Sequence, residues 1–254
     1  MALIDCRYFS DVLGLSTSAM VILPQRPERQ VGTTSTGTPG PLPVLYLLHG
    51  MGDDHTAWTR RTSIERYVAE LGLAVVMPNA HRSYYTDQVT GYDFFTHVTE
   101  ELPSVMGELF PLTRDPAETF VAGLSMGGYG ALKWALRKPG SIAAAASLSG
   151  GLDVIGRPGT PEWLATFGSV RRAAAHGDDL LHLAETIDPA ACPPLFQWCG
   201  IDDQNHAENT RFRAVGERRG LPLTYAESRG DHNWEHWDEQ IQRVLEWLPL
   251  HTRP

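Results

Sequence analysis

Gly123-Leu124-Ser125-Met126-Gly127 is the stretch that decides how this chain is read. Thr119 to Ala122 precede it as a strand, and Gly127 to Arg137 follow as a helix halted before Pro139. A serine between two glycines at a strand-to-helix turn is the G-x-S-x-G pattern of an exposed nucleophile. The turn is so sharp that the serine is held in a strained backbone conformation. Side chains two positions to either side would collide with neighbouring backbone, so both must be small. Ser125 then stands at the N-terminus of a helix. The helix dipole and the free N–H of Met126 favour developing negative charge there.

Upstream, the apolar run Val44 to Leu48 reads as a buried strand, and His49-Gly50 follows it directly. A glycine lets the backbone come close to a substrate oxygen. The N–H of Met51 is therefore the expected second oxyanion donor, paired with that of Met126. Downstream, Leu195 to Cys199 reads as a strand and runs into Gly200-Ile201-Asp202-Asp203. An acid at the carboxyl end of a strand after the nucleophile orients a histidine. Two aspartates compete, and either can instead cap the following helix; Asp203 is the expected acid, with Asp202 the alternative. The histidine is His232 in Gly230-Asp231-His232-Asn233-Trp234, between the strand Leu223 to Ala226 and a closing helix, Glu239 to Leu248. A neutral histidine can take the Ser125 proton and return it to a leaving alcohol near neutral pH.

A rival motif overlaps the last one. His232, Glu235 and His236 fit H-x-x-E-H, a zinc-protease signature. Its third ligand would have to be Asp238, Glu239 or Glu246, and it leaves the Ser125 turn unexplained. No metal and no cofactor is expected. Asp53-Asp54-His55 reads as a polar loop. Gly50, Trp58 and Trp234 are candidates for substrate contact because they adjoin the oxyanion turn and the histidine. Tyr84-Tyr85, Trp163 and Phe167 read more readily as packing.

Strands alternating with helices imply a mainly parallel sheet covered on both faces. Residues 1 to 23 give two further strands, antiparallel at one edge. Ser63 to Leu71 reads as a helix ended by Gly72, and Leu73 to Met77 as a strand stopped by Pro78. Phe94 to Phe110 has helical spacing with a kink at Pro103. Ala143 to Leu148 is a strand by context only, since alanine favours helix. Pro24 to Pro43, rich in Gly, Pro and Thr, reads as a surface loop inserted in a hairpin. Residues 153 to 194 interrupt the alternation and are expected to form a lid over the carboxyl ends of the strands. The whole chain, 1 to 254, is read as one domain.

Composition narrows the function. The chain has 254 residues and a formal net charge of −9, with 42% hydrophobic and 20% charged residues. Its basic runs are only pairs, such as Arg60-Arg61, so a nucleic-acid partner is not expected. Three widely spaced cysteines, Cys6, Cys192 and Cys199, suit neither a disulfide framework nor a zinc ribbon. No stretch is apolar for long enough to cross a membrane, and Met1 to Arg7 does not resemble a signal peptide. A cytoplasmic location is expected.

With these residues placed, the chain resembles the esterase D branch of the α/β-hydrolases, and most of all the bacterial tributyrin esterase-like carboxylesterases. The carriers are Tyr8-Phe9-Ser10, Leu47-Leu-His-Gly-Met51, Met77-Pro-Asn79, Glu100-Glu-Leu-Pro103, Gly123 through Ala131, Asp231-His-Asn-Trp234 and Trp237-Asp238. The resemblance implies an α/β-hydrolase fold, and a nucleophile at Ser125, acid at Asp203 and base at His232. It also implies oxyanion donors at Met51 and Met126. It implies a serine carboxylesterase acting on short acyl chains, acetyl to butyryl. The same branch holds S-formylglutathione hydrolases and acyltransferases, which would use the same acyl-enzyme. It also makes a homo-oligomer reasonable, although no residue identifies an interface.

Overall fold

The computed structural model describes residues 1–25, 29, 31, 35–36 and 40–250. The chain begins with β1 (Ala2–Ser10), β2 (Leu15–Leu23) and β3 (Val44–Leu48), then the short helices α1 (Ala57–Arg61) and α2 (Ile64–Tyr67). After β4 (Ala74–Pro78) come α3 (Phe94–Thr96), a π-helical turn (His97–Glu101) and α4 (Leu102–Leu109). β5 (Thr119–Leu124) leads into α5 (Met126–Arg137), and β6 (Ala144–Leu148) follows. Three short helices come next: α6 (Pro161–Phe167), α7 (Val170–Ala175) and α8 (Leu180–Thr186). The chain finishes with β7 (Leu195–Gly200), α9 (His206–Arg219), β8 (Leu223–Ser228) and α10 (Trp234–Trp247).

Among the described residues, eight strands form one sheet in the order β1-β2-β4-β3-β5-β6-β7-β8. β1 and β2 are antiparallel, and so are β2 and β4; all other neighbours are parallel. This is the mainly parallel sheet that the resemblance to the α/β-hydrolases leads one to expect. β3 to β7 are buried at every residue, as strands covered on both faces must be. β1 alternates instead, with Leu3, Asp5, Arg7 and Phe9 exposed, because only one of its faces is covered. Two apolar clusters lie on either side of the sheet. One joins Val44, Tyr46 and Leu48 to α4, α5, α8 and α9. The other joins Leu45 and Leu47 to α1, α2 and α10. β6 is a strand despite its alanines: Ala145 faces the first cluster, and Ala144 and Ala146 the second. Burial on both faces overrides the weak local preference, and small side chains let the covering helices approach.

Several expectations are corrected. The Pro24–Pro43 segment is not the insertion of a hairpin, because β4 lies between β2 and β3; much of that loop lies outside the described residues. The helix expected over Ser63 to Leu71 is one turn, Ile64–Tyr67, followed by turns up to Gly72 at φ +61°. Around Pro103 the helix widens into the π turn His97–Glu101. A proline has no N–H to give and its ring crowds the preceding turn, which a wider turn accommodates. The closing helix starts five residues before Glu239, capped by Asn233, whose side chain accepts the Glu235 N–H. Residues 153 to 194 hold three helices, and α8 buries Leu180 and Ala184 in the same cluster as α5. No helix among the described residues is long and apolar enough to cross a membrane.

Candidate active site

Among the described residues, five non-glycine residues adopt positive φ: His81, Tyr84, Tyr85, Ser125 and Ser149. All follow the carboxyl ends of β4, β5 and β6, the edge of the sheet that carries the candidate site. Backbone strain of this kind persists only where the surroundings enforce it. At Ser125, φ is 52° and ψ −115°. The two glycines of the turn explain how that is possible. A Cβ on Gly123 would strike the backbone of Gly127, and one on Gly127 would strike the carbonyl of Leu48.

The sequence-predicted residues come together here. Ser125 Oγ lies 2.9 Å from His232 Nε2. His232 Nδ1 lies 2.9 and 3.0 Å from the two carboxylate oxygens of Asp203. Of the two aspartates, Asp203 is 5% exposed and faces His232, whereas Asp202 is exposed. The turns carrying acid and histidine touch backbone to backbone, since a Cβ on Gly200 would strike the carbonyl of Gly230. Burial pushes the Asp203 carboxyl up, but hydrogen bonds from His232, the Asn205 N–H and Ser149 outweigh it and hold the group below the usual carboxylate range. Asp203 is thus an anion aimed at one imidazole nitrogen, and the other nitrogen is aimed at Ser125.

The His49-Gly50-Met51 turn lies against Ser125. A Cβ on Gly50 would sit 2.6 Å from Leu124 Cδ1 and 3.5 Å from Ser125 Cβ, so a larger residue there would have to displace the Leu124 side chain. Met126 is the first residue of α5, where an N–H has no acceptor within the helix. The Met51 side chain is exposed, and the Tyr84 N–H lies 3.3 Å from Met126 Sδ. His49 holds the turn from inside: Nδ1 lies 2.8 Å from the Gly50 carbonyl, and Nε2 accepts the Ala80 N–H at 3.0 Å. With Nε2 accepting, Nδ1–H donates, and the Gly50–Met51 peptide plane is fixed.

Burial pushes the His49 pKa down to about 4 from an ordinary 6.5. A folded-state pKa below the unfolded one means that the unfolded chain binds more protons between those values. Stability is then full above pH 6.5, falls with pH, and the loss levels off below about pH 4 at about 3 kcal/mol from His49. Burial lowers His97 too, so it adds in the same direction. Urea unfolding at graded pH checks this: His49→Gln should flatten the drop between neutral pH and pH 4. An unchanged drop would assign the acid lability elsewhere.

Other placements differ from expectation. Trp58 is 1% exposed, donates its Nε1–H to the Leu48 carbonyl at 3.1 Å, and packs edge to face on Trp234 at 5.1 Å. It props the end of β3 from the core, with its ring closed off from solvent. Trp234 is half-buried between Trp58 and Trp237. Sequence reasoning missed three supports. Ser149 accepts the Trp237 Nε1–H at 3.1 Å. Asn205 gives its N–H to Asp203 at 2.8 Å and its side-chain N–H to the Ser149 carbonyl at 3.0 Å. Trp237 also stands edge to face against the His232 ring at 4.8 Å. A small polar residue ending a buried strand, as in Ser147-Leu148-Ser149, was the available signal for the first. The zinc motif has no geometric support: both His232 nitrogens are engaged, and His236 lies near Asp231 at 3.5 Å. Among the described residues no three His, Cys, Asp or Glu side chains converge as ligands.

A family model described as a putative esterase matches residues 16–248. An acetyl esterase of Caldicellulosiruptor saccharolyticus is 26% identical over 263 residues, covering 98% of each chain. The solved fluorophosphonate-binding serine hydrolase F of Staphylococcus aureus superposes with a TM-score of 0.85 at 31% identity, covering 97% of both chains. The S-formylglutathione hydrolase of the same organism gives a TM-score of 0.82, also at 31% identity, over 97% of this chain and 98% of that one.

Proposed function

We infer that this chain, which belongs to the putative esterase family within the esterase D branch of the α/β-hydrolases and is a carboxylic ester hydrolase, cleaves short-chain acyl esters through Ser125, His232 and Asp203. The observation that carries the reading is the unbroken hydrogen-bonded series from Ser125 Oγ through His232 to a buried, ionised Asp203. Ser125 Oγ attacks the ester carbonyl carbon while His232 Nε2 takes its proton. The N–H groups of Met51 and Met126 receive the charge that develops on the carbonyl oxygen. His232 returns the proton to the departing alcohol, leaving Ser125 acylated. Water, deprotonated by the same nitrogen, releases the acid and restores the serine. Asp203 holds the imidazole in the tautomer that leaves Nε2 free to accept, and stabilises the imidazolium.

A small acyl group suits the surroundings. Tyr84 packs on Tyr129 and Phe167 with ring centroids 5.9 and 5.5 Å apart, and Trp163 lies against Phe167 at 5.2 Å. The segment 153 to 194 supplies Trp163 and Phe167, which pack with Tyr84 in the core. Hydrolysis of p-nitrophenyl esters graded from acetate to palmitate tests the acyl range. Activity should peak between acetate and butyrate and fall by about a hundredfold or more for the longest chains, whose added methylenes find no apolar wall. A flat or rising profile would refute the small acyl site. The likeness to an S-formylglutathione hydrolase supports a second reading, in which the same serine cleaves a thioester. S-formylglutathione hydrolysed well above the rate of the best oxygen ester would favour that reading. Ester products formed with an added alcohol would favour acyl transfer.

A further inference from the structure

β1 ends the sheet on one side and pairs without a break along all nine residues, Ala2↔Leu23 to Ser10↔Leu15. Along the strand there is no proline, no bulge and no lysine, and its charged side chains are one of each sign, Asp5 and Arg7. Long, regular, unprotected edges are templates for another strand. Its exposed side chains are Leu3, Asp5, Arg7 and Phe9, with Leu3 48% and Phe9 60% exposed.

We propose that β1 pairs antiparallel with β1 of a second copy of this chain around a two-fold axis at Cys6, extending the sheet across a homodimer. In a two-fold pair, residue i of one strand faces residue j of the other and j faces i, so the register is one number. Registers that set an odd residue opposite an even one would place exposed side chains beside core-facing ones, and the pleat excludes them. Centring on Asp5 puts Asp5 opposite Asp5, and centring on Arg7 puts Arg7 opposite Arg7. Centring on Ile4 or Tyr8 leaves only part of the strand paired. Centring on Cys6 uses the whole strand, Ala2 opposite Ser10. It sets Asp5 opposite the partner's Arg7 twice, and Leu3 opposite the partner's Phe9 twice. On the other face, Ile4 meets the partner's Tyr8. Charge and apolar character match only in this register. Within one chain Arg7 already reaches Asp5 at 3.3 Å, although its side chain is 79% exposed, and His55 lies 3.7 Å from Asp5. The pairing redirects the arginine to an opposing carboxylate.

Sedimentation of the full chain over a concentration series tests this. The wild type should dimerise. Asp5→Arg or Arg7→Asp puts like charges opposite each other at two symmetric places and should raise the dimer Kd about tenfold or more. The double reversal Asp5→Arg/Arg7→Asp restores opposite charges and should recover the dimer. Esterase activity per chain, unchanged in all of these, shows that each variant is folded. A short bis-maleimide supplies the register. Cys6 is half-buried whereas Cys192 and Cys199 are buried, and paired residues across a sheet lie about 4.5–5.5 Å apart at Cα. The wild type should cross-link into covalent dimers and Cys6→Ser should not. A chain that stays monomeric throughout, or a dimer whose Kd ignores both single reversals, would overturn the proposal.

Discussion

Ser125→Ala is expected to lower kcat on p-nitrophenyl acetate by about 10⁴- to 10⁶-fold, with KM changed little. The size follows from the chemistry removed. Without Oγ no acyl-enzyme forms, and what remains is a water attacking an ester held near two backbone N–H groups. The neighbours cannot compensate, because the substitution leaves His232 and Asp203 in place with no nucleophile between them and the carbonyl. Structural damage is not an alternative explanation. Ser125 makes no capping bond to α5, and alanine keeps the Cβ, so the strained backbone is no worse than before. Thermal unfolding should therefore match the wild type. Labelling by a fluorophosphonate, which needs the same oxygen, should vanish in parallel. An Ser125→Ala protein that keeps even a few per cent of wild-type turnover, or still labels, would remove Ser125 from the mechanism.

Where sequence rules are local, they read this chain well. The Ser125 turn is specified by five adjacent residues, and both glycines prove sterically obligatory. Fully apolar runs gave β3 and β4, because a strand buried on both faces admits little else. Non-local facts were hidden. β2 and β3 are consecutive in sequence, yet β4 separates them, and no residue in either strand encodes that. α9 is legible only as a helix following the aspartates, without bounds, because charged and polar residues occupy most of its length, with Phe212 its main buried apolar anchor. Trp58 adjoins the oxyanion turn in sequence, but its indole N–H needs a partner. The Leu48 carbonyl supplies one in the core, so the ring turns away from the site. Ser149, Asn205 and Trp237 act on Asp203 and His232 from three different elements, and such a convergence exists only once the sheet is assembled.

The second large effect distinguishes the adjacent aspartates. Asp203→Asn should cost about 10³- to 10⁴-fold in kcat, while Asp202→Asn should stay within about twofold of wild type. The two residues have the same side chain one position apart, so composition and capping propensity cannot separate them; geometry does. Asp203 is buried with both oxygens within 3.0 Å of His232 Nδ1, and Asn205 N–H occupies a further lone pair. Asparagine fills the same space, so the fold should survive. Its amide can offer an N–H to Nδ1, which favours the imidazole tautomer carrying its proton on Nε2. That proton points at Ser125, and the nitrogen can no longer accept from the hydroxyl. The asparagine also lacks the charge that stabilises the imidazolium as Ser125 attacks. Asp202 does neither job: its side chain is exposed, and its backbone N–H bonds to the Gly230 carbonyl at 3.1 Å, which the substitution leaves intact. Steady-state kinetics on one short ester, with circular dichroism to confirm folding, decides the matter. Loss of activity in Asp202→Asn with retention in Asp203→Asn would move the acid to the exposed neighbour. Near-normal activity in both would mean that packing against Trp237 alone orients His232, and that the buried carboxylate contributes to the fold and not to turnover.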